Sequence, residues 1–156
     1  MLDYPTLLET FKKLLRDNSL KFTKQREVTL KTLYQNSGHF TPEELYNLIK
    51  EQYPDLTIGI ATIYRTLGLL EGTDIVNSLS FGSKGKKYEL NNKAHHDHLI
   101  CIKCEKLIEF YDEIIEEQQK KISEKFNFKM MGHTMHITGI CQECQEKQTR
   151  VKPYHN

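Results

Sequence analysis

The feature that most constrains the fold of this chain is a pair of C-x-x-C motifs, Cys101–Cys104 and Cys141–Cys144. Each motif presents two thiolates at one point, and two such motifs complete the tetrahedral sulfur shell that zinc accepts without strain. All four cysteines of the 156-residue chain belong to these motifs. The pattern therefore favours a structural zinc site, with free or redox-active thiols as the alternative. The chain between the motifs must leave and return through a strand–helix–strand excursion.

Size and composition favour two small domains. With 38% hydrophobic residues and no Trp, two small cores, or a core completed by a partner subunit, fit better than one large core. Residues 12–31 hold seven basic and two acidic side chains, a density that suits a phosphate backbone, although a solvated helix face is the alternative. The chain has no apolar run of membrane-spanning length and no secretory signal pattern at its start, so a cytoplasmic location is expected.

Hydrophobic periodicity predicts helices over the N-terminal half. Apolar stripes indicate helices over residues 4–17 and 24–36, and a T-x-x-E capping box at Thr41 predicts the start of a third. The segment "IATIYRTLGLLE" is a fourth predicted helix, and helical spacing gives it two faces. The inward face is predicted to carry Ile60, Ile63, Leu67 and Leu70, and the outward face Thr62, Arg65 and Thr66. The period then changes to that of two strands, "DIVNSLSF" and "KKYEL", around a basic turn. This is the outline of a winged helix, whose last helix can enter the DNA major groove.

The remaining sequence predicts a small β-β-α-β unit. The segments "HLICIK" and "KLIEF" are predicted strands, residues 112–126 a helix, and residues 128–141 a third strand. On that helix the inward residues are expected to be Ile114, Ile115, Ile122 and Phe126. A core this thin must be supported by a metal, by a second copy of the chain, or by both.

The histidines of "HHDH", residues 95–98, cannot all belong to one ion. Side chains alternate between the faces of an extended segment, so His95 and Asp97 point one way and His96 and His98 the other. Neither set completes a coordination shell alone. Ligand sets of mixed nitrogen and oxygen type favour Fe(II), Mn(II), Co(II) or Zn(II).

Two later histidines are separated by the same alternation. His133 shares the apolar face of the predicted third strand, and Glu116 on the helix is a nearby acid, so His133 is interpreted as a ligand. His136 falls on the other face and is expected to be solvent-exposed. His39 by itself is expected to be a surface loop residue.

Six segments, which lie in order along the chain, resemble the ferric uptake regulator (Fur) family, and in detail its Campylobacter and Helicobacter type. They are "KQREVTLKTLY", "HFTPEELY", "ATIYRTLGLLE", "KKYEL", "HHDHLICIKC" and "KLIEF". The resemblance extends over residues 8–146. It implies an α+β protein: a winged-helix DNA-binding domain (1–87), a hinge (88–94), a small α/β metal-binding dimerisation domain (95–148) and a flexible tail (149–156).

The resemblance also implies three metal sites. A structural zinc site would use Cys101, Cys104, Cys141 and Cys144. A regulatory site between the domains would use His39, Glu89, His96, His98 and Glu109. A third site inside the dimerisation domain would use His95, Asp97, Glu116 and His133. The zinc is structural, Fe²⁺ is the expected effector, and Mn²⁺ or Zn²⁺ are substitutes.

For the expected DNA-binding surface, Tyr64 and Arg65 are the predicted contacts of the recognition helix, with Thr62 as a further candidate. The alternative for Tyr64 is a half-buried packing role. Predicted phosphate contacts are Lys12, Lys13 and Arg16 on the first helix, with Lys84 and Lys86 at the wing.

The implied function is that of a metal-responsive repressor of iron uptake and homeostasis genes. Its expected partners are an AT-rich palindromic operator and a second copy of the chain, as a homodimer or within a tetramer. A peroxide or zinc sensor on the same scaffold is the alternative. Peroxide sensors favour Asp at some regulatory positions, so Glu89 and Glu109 favour the ferric uptake type. A zinc hydrolase or deaminase is the remote alternative, because the H-x-E and P-C-x-x-C pattern of deaminases is missing from the sequence. No enzymatic activity is expected.

Overall fold

The chain divides into two units, residues 1–93 and 94–156, which we call the N-terminal unit and the C-terminal unit. The computed structural model describes residues 3–80, 85–91 and 95–149. Lys84, residues 92–94 of the predicted hinge and residues 150–156 of the predicted tail lie outside the described residues. Residues 88–90, which the predicted hinge includes, lie in a strand. In the described part of the chain, no helix combines the length and the apolar character needed to cross a membrane.

Within its described residues, the N-terminal unit has four helices and a hairpin. They are α1 (Tyr4–Asp17), α2 (Lys24–Gln35), α3 (Pro42–Gln52), α4 (Ile60–Glu71), β1 (Val76–Ser80) and β2 (Lys86–Leu90). The two strands pair antiparallel, from Val76↔Leu90 to Ser80↔Lys86, and Phe40 forms an isolated bridge with Tyr88 of β2. This is the predicted winged-helix order.

Helix α4 packs against α2, α3 and β1. Its Ile63, Leu67 and Leu70 are fully buried, as predicted. Two expectations for α4 are wrong. Ile60 is exposed because it occupies the first position of the helix. Thr66 is buried, and its hydroxyl donates to the Thr62 carbonyl at 2.7 Å, which satisfies its polar atom inside the core.

The starts of three helices in this unit are fixed by side chains. Asp3, Thr23 and Thr41 accept hydrogen bonds from backbone N–H groups of α1, α2 and α3. Helix α4 instead follows Gly59, and no side chain caps its first turn. In that turn the Thr62 N–H donates to the Gly59 carbonyl at 2.9 Å, and no side chain caps the amides that precede it.

The C-terminal unit contains a three-stranded sheet with β3 at its centre. Its elements are β3 (Asp97–Cys101), β4 (Leu107–Phe110), α5 (Glu113–Lys125), β5 (His136–Gly139) and α6 (Gln142–Thr149). Strand β3 pairs antiparallel with β4 and parallel with β5. The excursion between the cysteine motifs is therefore β4, α5 and β5.

Three expectations for this unit are wrong. The third strand covers only residues 136–139, because β3 pairs with β5 only from His98↔His136 to Cys101↔Gly139. Ile114, Ile122 and Phe126 are exposed rather than inward, and α5 contains no buried residue. Helix α6 was not predicted, since "QECQEKQT" lacks the apolar period by which a helix is recognised.

The capping box of α3 gives a stability prediction. The Thr41 hydroxyl accepts from the Glu44 N–H at 3.1 Å, and the Glu44 carboxylate accepts from the Thr41 N–H at 2.7 Å. Thr41→Ala removes the first bond and should lower the free energy of unfolding by about 1 kcal/mol in urea titrations of the full chain. Thr41→Ser keeps the hydroxyl and should stay near the wild type. Equal losses in both variants would contradict the capping role.

Candidate metal centres and nucleic-acid interface

The parallel pairing of β3 with β5 brings the two cysteine motifs together. Cys101 ends β3 beside Gly139 at the end of β5, and Cys141 follows two residues later. The four sulfur atoms all lie within 4.8 Å of one another, and the Sγ atoms of Cys104 and Cys141 are 3.6 Å apart. A Zn–S bond of about 2.3 Å in a tetrahedron requires S···S edges of about 3.8 Å. The cluster therefore fits a zinc ion without rearrangement of the chain.

The thiols of this cluster differ in acidity. The backbone N–H groups of Cys141 and Cys104 donate to Cys101 Sγ and lower the pKa of that thiol to about 6. A hydrogen bond with Cys104 raises the pKa of Cys144 to about 12, and burial contributes to this rise as the second cause. One thiolate thus forms readily while a neighbouring thiol keeps its proton. A zinc ion held by the four cysteines would remove this difference, because zinc ligates cysteine as thiolate.

A second cluster joins His95 and Asp97 to Glu116 and His133. The Nε2 atoms of both histidines lie 3.4 Å from Glu116 Oε1, and they lie 3.6 and 3.4 Å from Asp97 Oδ1. Ligand bonds of about 2.1 Å in a tetrahedron give edges of about 3.4 Å, which these four distances match. The two Nε2 atoms are closer, at 2.7 Å.

The buried carboxylate of Asp97 indicates that this cluster requires a positive charge. That carboxylate is 1% exposed, and neither oxygen has a hydrogen-bond partner among the described residues. A buried carboxylate needs a counter-charge or donors, and the imidazoles of His95 and His133 face it. The donor set therefore fits a divalent cation. His133 reaches this position from the non-strand segment before β5, so its predicted strand setting is wrong.

The C-terminal unit contains a third group of potential metal ligands, formed by His96, His98 and Glu109. The rings of His96 and His98 lie 4.8 Å apart, centroid to centroid. Glu109 on β4 is the sheet neighbour of His98, and its Oε1 is 3.9 Å from His96 Nε2. His136, predicted to be solvent-exposed, is exposed, yet its ring lies 5.6 Å from that of His98 on the next strand.

In the N-terminal unit, His39 and Glu89 form a pair. The backbone bridge between Phe40 and Tyr88 aligns their neighbours, and His39 Nε2 lies 3.3 Å from Glu89 Oε2. Both side chains are buried. His39 is therefore not the surface loop residue that its own position in the sequence suggested.

The exposed side of α4 carries the predicted DNA contacts. Tyr64 and Arg65 are exposed and Thr62 is half-buried. Beside them, an open cleft of about 510 Å³ is lined by Lys21, Arg26, Thr62 and Arg65, among others. Lys21 and Arg26 were not predicted as contacts, although they lie in the basic segment 12–31 that carried the signal.

The predicted phosphate-binding lysines differ in their surroundings. Lys13 and Arg16 are exposed on α1. Lys12 pairs with Glu9 at 2.7 Å, with its Nζ 5.5 Å from the Phe22 ring centroid. Lys86 pairs with Glu71 at 2.7 Å, which raises the pKa of Lys86. On binding DNA, Lys12 and Lys86 would exchange an ion pair for a phosphate, so each is expected to gain less from a phosphate contact than Lys13.

Known proteins share this architecture and sequence. The model of the ferric uptake regulator family matches residues 17–138. The ferric uptake regulation protein of Campylobacter jejuni is 57% identical over 150 residues, which cover 96% of each chain. The solved structure of the Helicobacter pylori ferric uptake regulator, described as revealing three functional metal binding sites, aligns with a TM-score of 0.81 at 35% identity, over 92% of this chain and 95% of that chain.

A regulator of another type also shares the fold. The Campylobacter jejuni peroxide stress regulator aligns with a TM-score of 0.64 at 26% identity, over 88% of this chain and 98% of that chain. The likeness to the ferric uptake regulators is stronger in both measures. The chain therefore belongs to the ferric uptake regulator family, and it is a metal-binding, DNA-binding transcriptional regulator of iron homeostasis.

Proposed function

We propose that this chain represses iron uptake and homeostasis genes by binding operator DNA when Fe(II) is held jointly by its two units. Mn(II) and Zn(II) are expected to substitute in vitro. The observation that carries the proposal is that each unit presents an incomplete ligand set: His39 with Glu89 in one, and His96, His98 and Glu109 in the other.

The ligand types support a divalent effector. Three imidazoles and two carboxylates suit Fe(II), Mn(II), Co(II) and Zn(II), and the choice among these depends on affinity order and availability. A bound cation supplies the positive charge and the coordination bonds that both ligand sets require. His39 and Glu89 then fix the N-terminal unit, and the other three ligands fix the C-terminal unit, to one shared point.

Fixing the units in this way would control DNA binding in a dimer. Two recognition helices must meet two half-sites at a set spacing, and the arrangement of the units determines that spacing. An effector shifts the protein towards the binding arrangement only if it has higher affinity for that arrangement. Ligands divided between the units provide that difference in affinity.

The other two clusters lie within the C-terminal unit, and we assign them different roles. Cys101, Cys104, Cys141 and Cys144 would hold structural zinc, supported by their spacing and by the few buried apolar residues of this unit. His95, Asp97, Glu116 and His133 would hold a further divalent ion, supported by the buried Asp97 carboxylate. Both clusters would stabilise the unit that carries part of the sensing site.

We assign DNA contact to α4 and the cleft beside it. Tyr64 and Arg65 would meet base edges, with Thr62 at a base or a phosphate. Lys21, Arg26 and the N-terminus of α4, which no side chain caps, would hold the phosphate backbone, because cations and helix N-termini both attract phosphate. Lys13 and Arg16 would add phosphate contacts, and Lys84 remains a predicted contact at the wing. Lys12 and Lys86 are weaker candidates, because each is already paired with a carboxylate.

We propose a homodimer formed by the C-terminal units, in keeping with the dimeric state of the family's regulators. Apolar side chains of this unit are exposed in the single chain. They include Leu99, Ile108, Ile114, Ile122, Phe126, Phe128, Met131 and Ile137. Ile108, Leu99 and Ile137 are neighbours across the three strands and form an apolar row. A second copy would cover such a surface; a tetramer is the alternative.

The peroxide- and zinc-sensing alternatives are weaker for this chain. Glu89 and Glu109 take part in the ligand sets described above, whereas the resemblance associates Asp with peroxide sensors. A zinc hydrolase would need an open coordination position, and four thiolates leave none. We therefore propose a regulator without catalytic activity that acts in the cytoplasm.

Loss of the structural zinc should unfold the C-terminal unit. Cys104→Ser should remove one zinc per chain, measured by elemental analysis, and the helical circular-dichroism signal of α5 should fall, since this metal replaces an apolar core. Lys103→Ser, in the same motif but without a ligand, should keep the zinc. Full zinc content in the Cys104 variant would contradict the assignment.

The sensing site is tested by metal-dependent operator binding. In mobility-shift titrations with Mn(II), Zn(II) or anaerobic Fe(II), His39→Ala and His96→Ala should each lose the metal response while keeping structural zinc. His155→Ala, which lies in none of the three ligand sets, should respond like the wild type. An unchanged response in both site variants would show that the ion does not act through these ligands.

The DNA contacts can be separated by salt and by sequence. Arg65→Ala should weaken binding to the cognate duplex by about 1–3 kcal/mol, because a base contact is lost. Its effect on binding to scrambled DNA should be much smaller. Lys13→Ala should weaken both duplexes alike and reduce the salt slope by about one. Lys129→Ala in the C-terminal unit is the charge-matched control. Equal effects of Arg65→Ala on both duplexes would contradict a base-reading role.

A further inference from the structure

Glu43, in the first turn of α3, is bonded to the recognition helix. Its Oε1 accepts a hydrogen bond of 2.5 Å from the Tyr64 hydroxyl. This bond raises the pKa of the Tyr64 phenol, since the carboxylate favours the protonated form. The sequence did not single out Glu43, because the two residues are far apart in the chain.

Tyr64 is only partly covered by its neighbours. Its neighbour Ile63 is fully buried, but Tyr64 itself is 49% exposed, so core packing does not fix its ring. Glu43, by contrast, lies in a capped first helical turn. It lies between Pro42 and Glu44, inside the capping box closed by Thr41. The bond therefore ties a half-exposed aromatic ring to a capped helix start.

We infer that Glu43 is a positioning residue for DNA recognition, which holds the Tyr64 ring in the orientation that meets the bases. The inference rests on the proposed role of α4. A side chain that must be ordered on binding reduces affinity, and a side chain ordered beforehand avoids that cost. Glu43 thereby raises the preference for the cognate sequence rather than the overall attraction to DNA.

The charge of Glu43 acts in the opposite direction. A carboxylate beside a DNA-binding helix repels phosphates of every sequence. Two substitutions separate this repulsion from the hydrogen bond. Glu43→Gln removes the charge and keeps an oxygen that can accept from Tyr64, whereas Glu43→Ala removes both.

The experiment compares the affinity for two duplexes by fluorescence anisotropy, with the full-length, zinc-loaded protein and saturating Mn(II). One duplex is an AT-rich palindrome selected by the wild type from a random pool, and the other is its scrambled counterpart. Glu43→Ala should lower the cognate-to-scrambled ratio about 3- to 10-fold, the effect of ordering one side chain. Glu43→Gln should keep the wild-type ratio while both affinities rise together.

A double-mutant cycle with Tyr64→Phe completes the test. Tyr64→Phe keeps the ring and loses the bond, so it should lower the ratio as Glu43→Ala does, and the double variant should lose no more than either one. Additive losses, or an unchanged ratio in Glu43→Ala, would overturn the inference. Glu51→Ala removes a carboxylate from the far end of α3 and should leave the ratio unchanged.

Two controls keep this result separate from the proposed function and from folding. Arg65→Ala must reduce the ratio if α4 reads the bases, so a normal ratio there would count against the proposed DNA contacts themselves. If Arg65→Ala behaves as expected and Glu43→Ala does not, the failure belongs to the Glu43 inference alone. Unfolding midpoints of all variants should match the wild type, because the Glu43–Tyr64 bond is exposed; a shared loss of stability with a normal ratio would also overturn it.

Discussion

The C-terminal unit depends on the parallel pairing of β3 with β5. This pairing sets Cys101 against Gly139 and so brings together two cysteine motifs that are far apart in sequence. It also sets His98 beside His136. Only Ile100 and Cys101 are buried apolar residues among those described in this unit. Strand pairing, metal ligation and a second copy of the chain are therefore the sources of stability open to a unit that buries so few apolar residues.

The same strand separates the metal sites. Residues 95–104 contribute to all three ligand sets, and alternation along the backbone divides them. His95 and Asp97 face Glu116 and His133, while the His96 ring packs against that of His98. A change of register by one residue would exchange these faces. An ion that fixes the register of β3 would therefore also fix the positions of the other two ligand sets.

Local signals predicted the N-terminal unit well. The Thr41 capping box and the buried spacing of Ile63, Leu67 and Leu70 are properties of neighbouring residues, and the structure shows both. The pairing of His39 with Glu89 is different, because it follows from the bridge between Phe40 and Tyr88. A contact that depends on such a long-range bridge has no local signal, and only the family resemblance suggested it.

The C-terminal unit was less predictable for a related reason. Alternation over four residues is strictly local, and the grouping it predicted for His95 and Asp97 agrees with the cluster observed. The length of β5 and the exposure of Ile114 and Ile122 depend instead on which other parts of the structure pack against them. The same apolar pattern is expected for a helix face that is buried within one chain and for a face that is buried only by a second copy of the chain. The sequence could not distinguish these two cases.

The proposed division of the sensing ligands between two units would have a consequence for metal affinity. A site contained in one unit, such as the Cys101–Cys144 cluster, is assembled whenever that unit is folded. A site divided between units is competent only in the fraction of molecules with the correct arrangement, so its apparent affinity falls by that fraction. In the proposed mechanism this loss is useful, because it keeps the sensing site weaker than the structural one. In that mechanism the zinc cluster would stay filled while occupancy of the divided site followed the free effector. The free energy that would otherwise tighten metal binding would instead change the arrangement of the units.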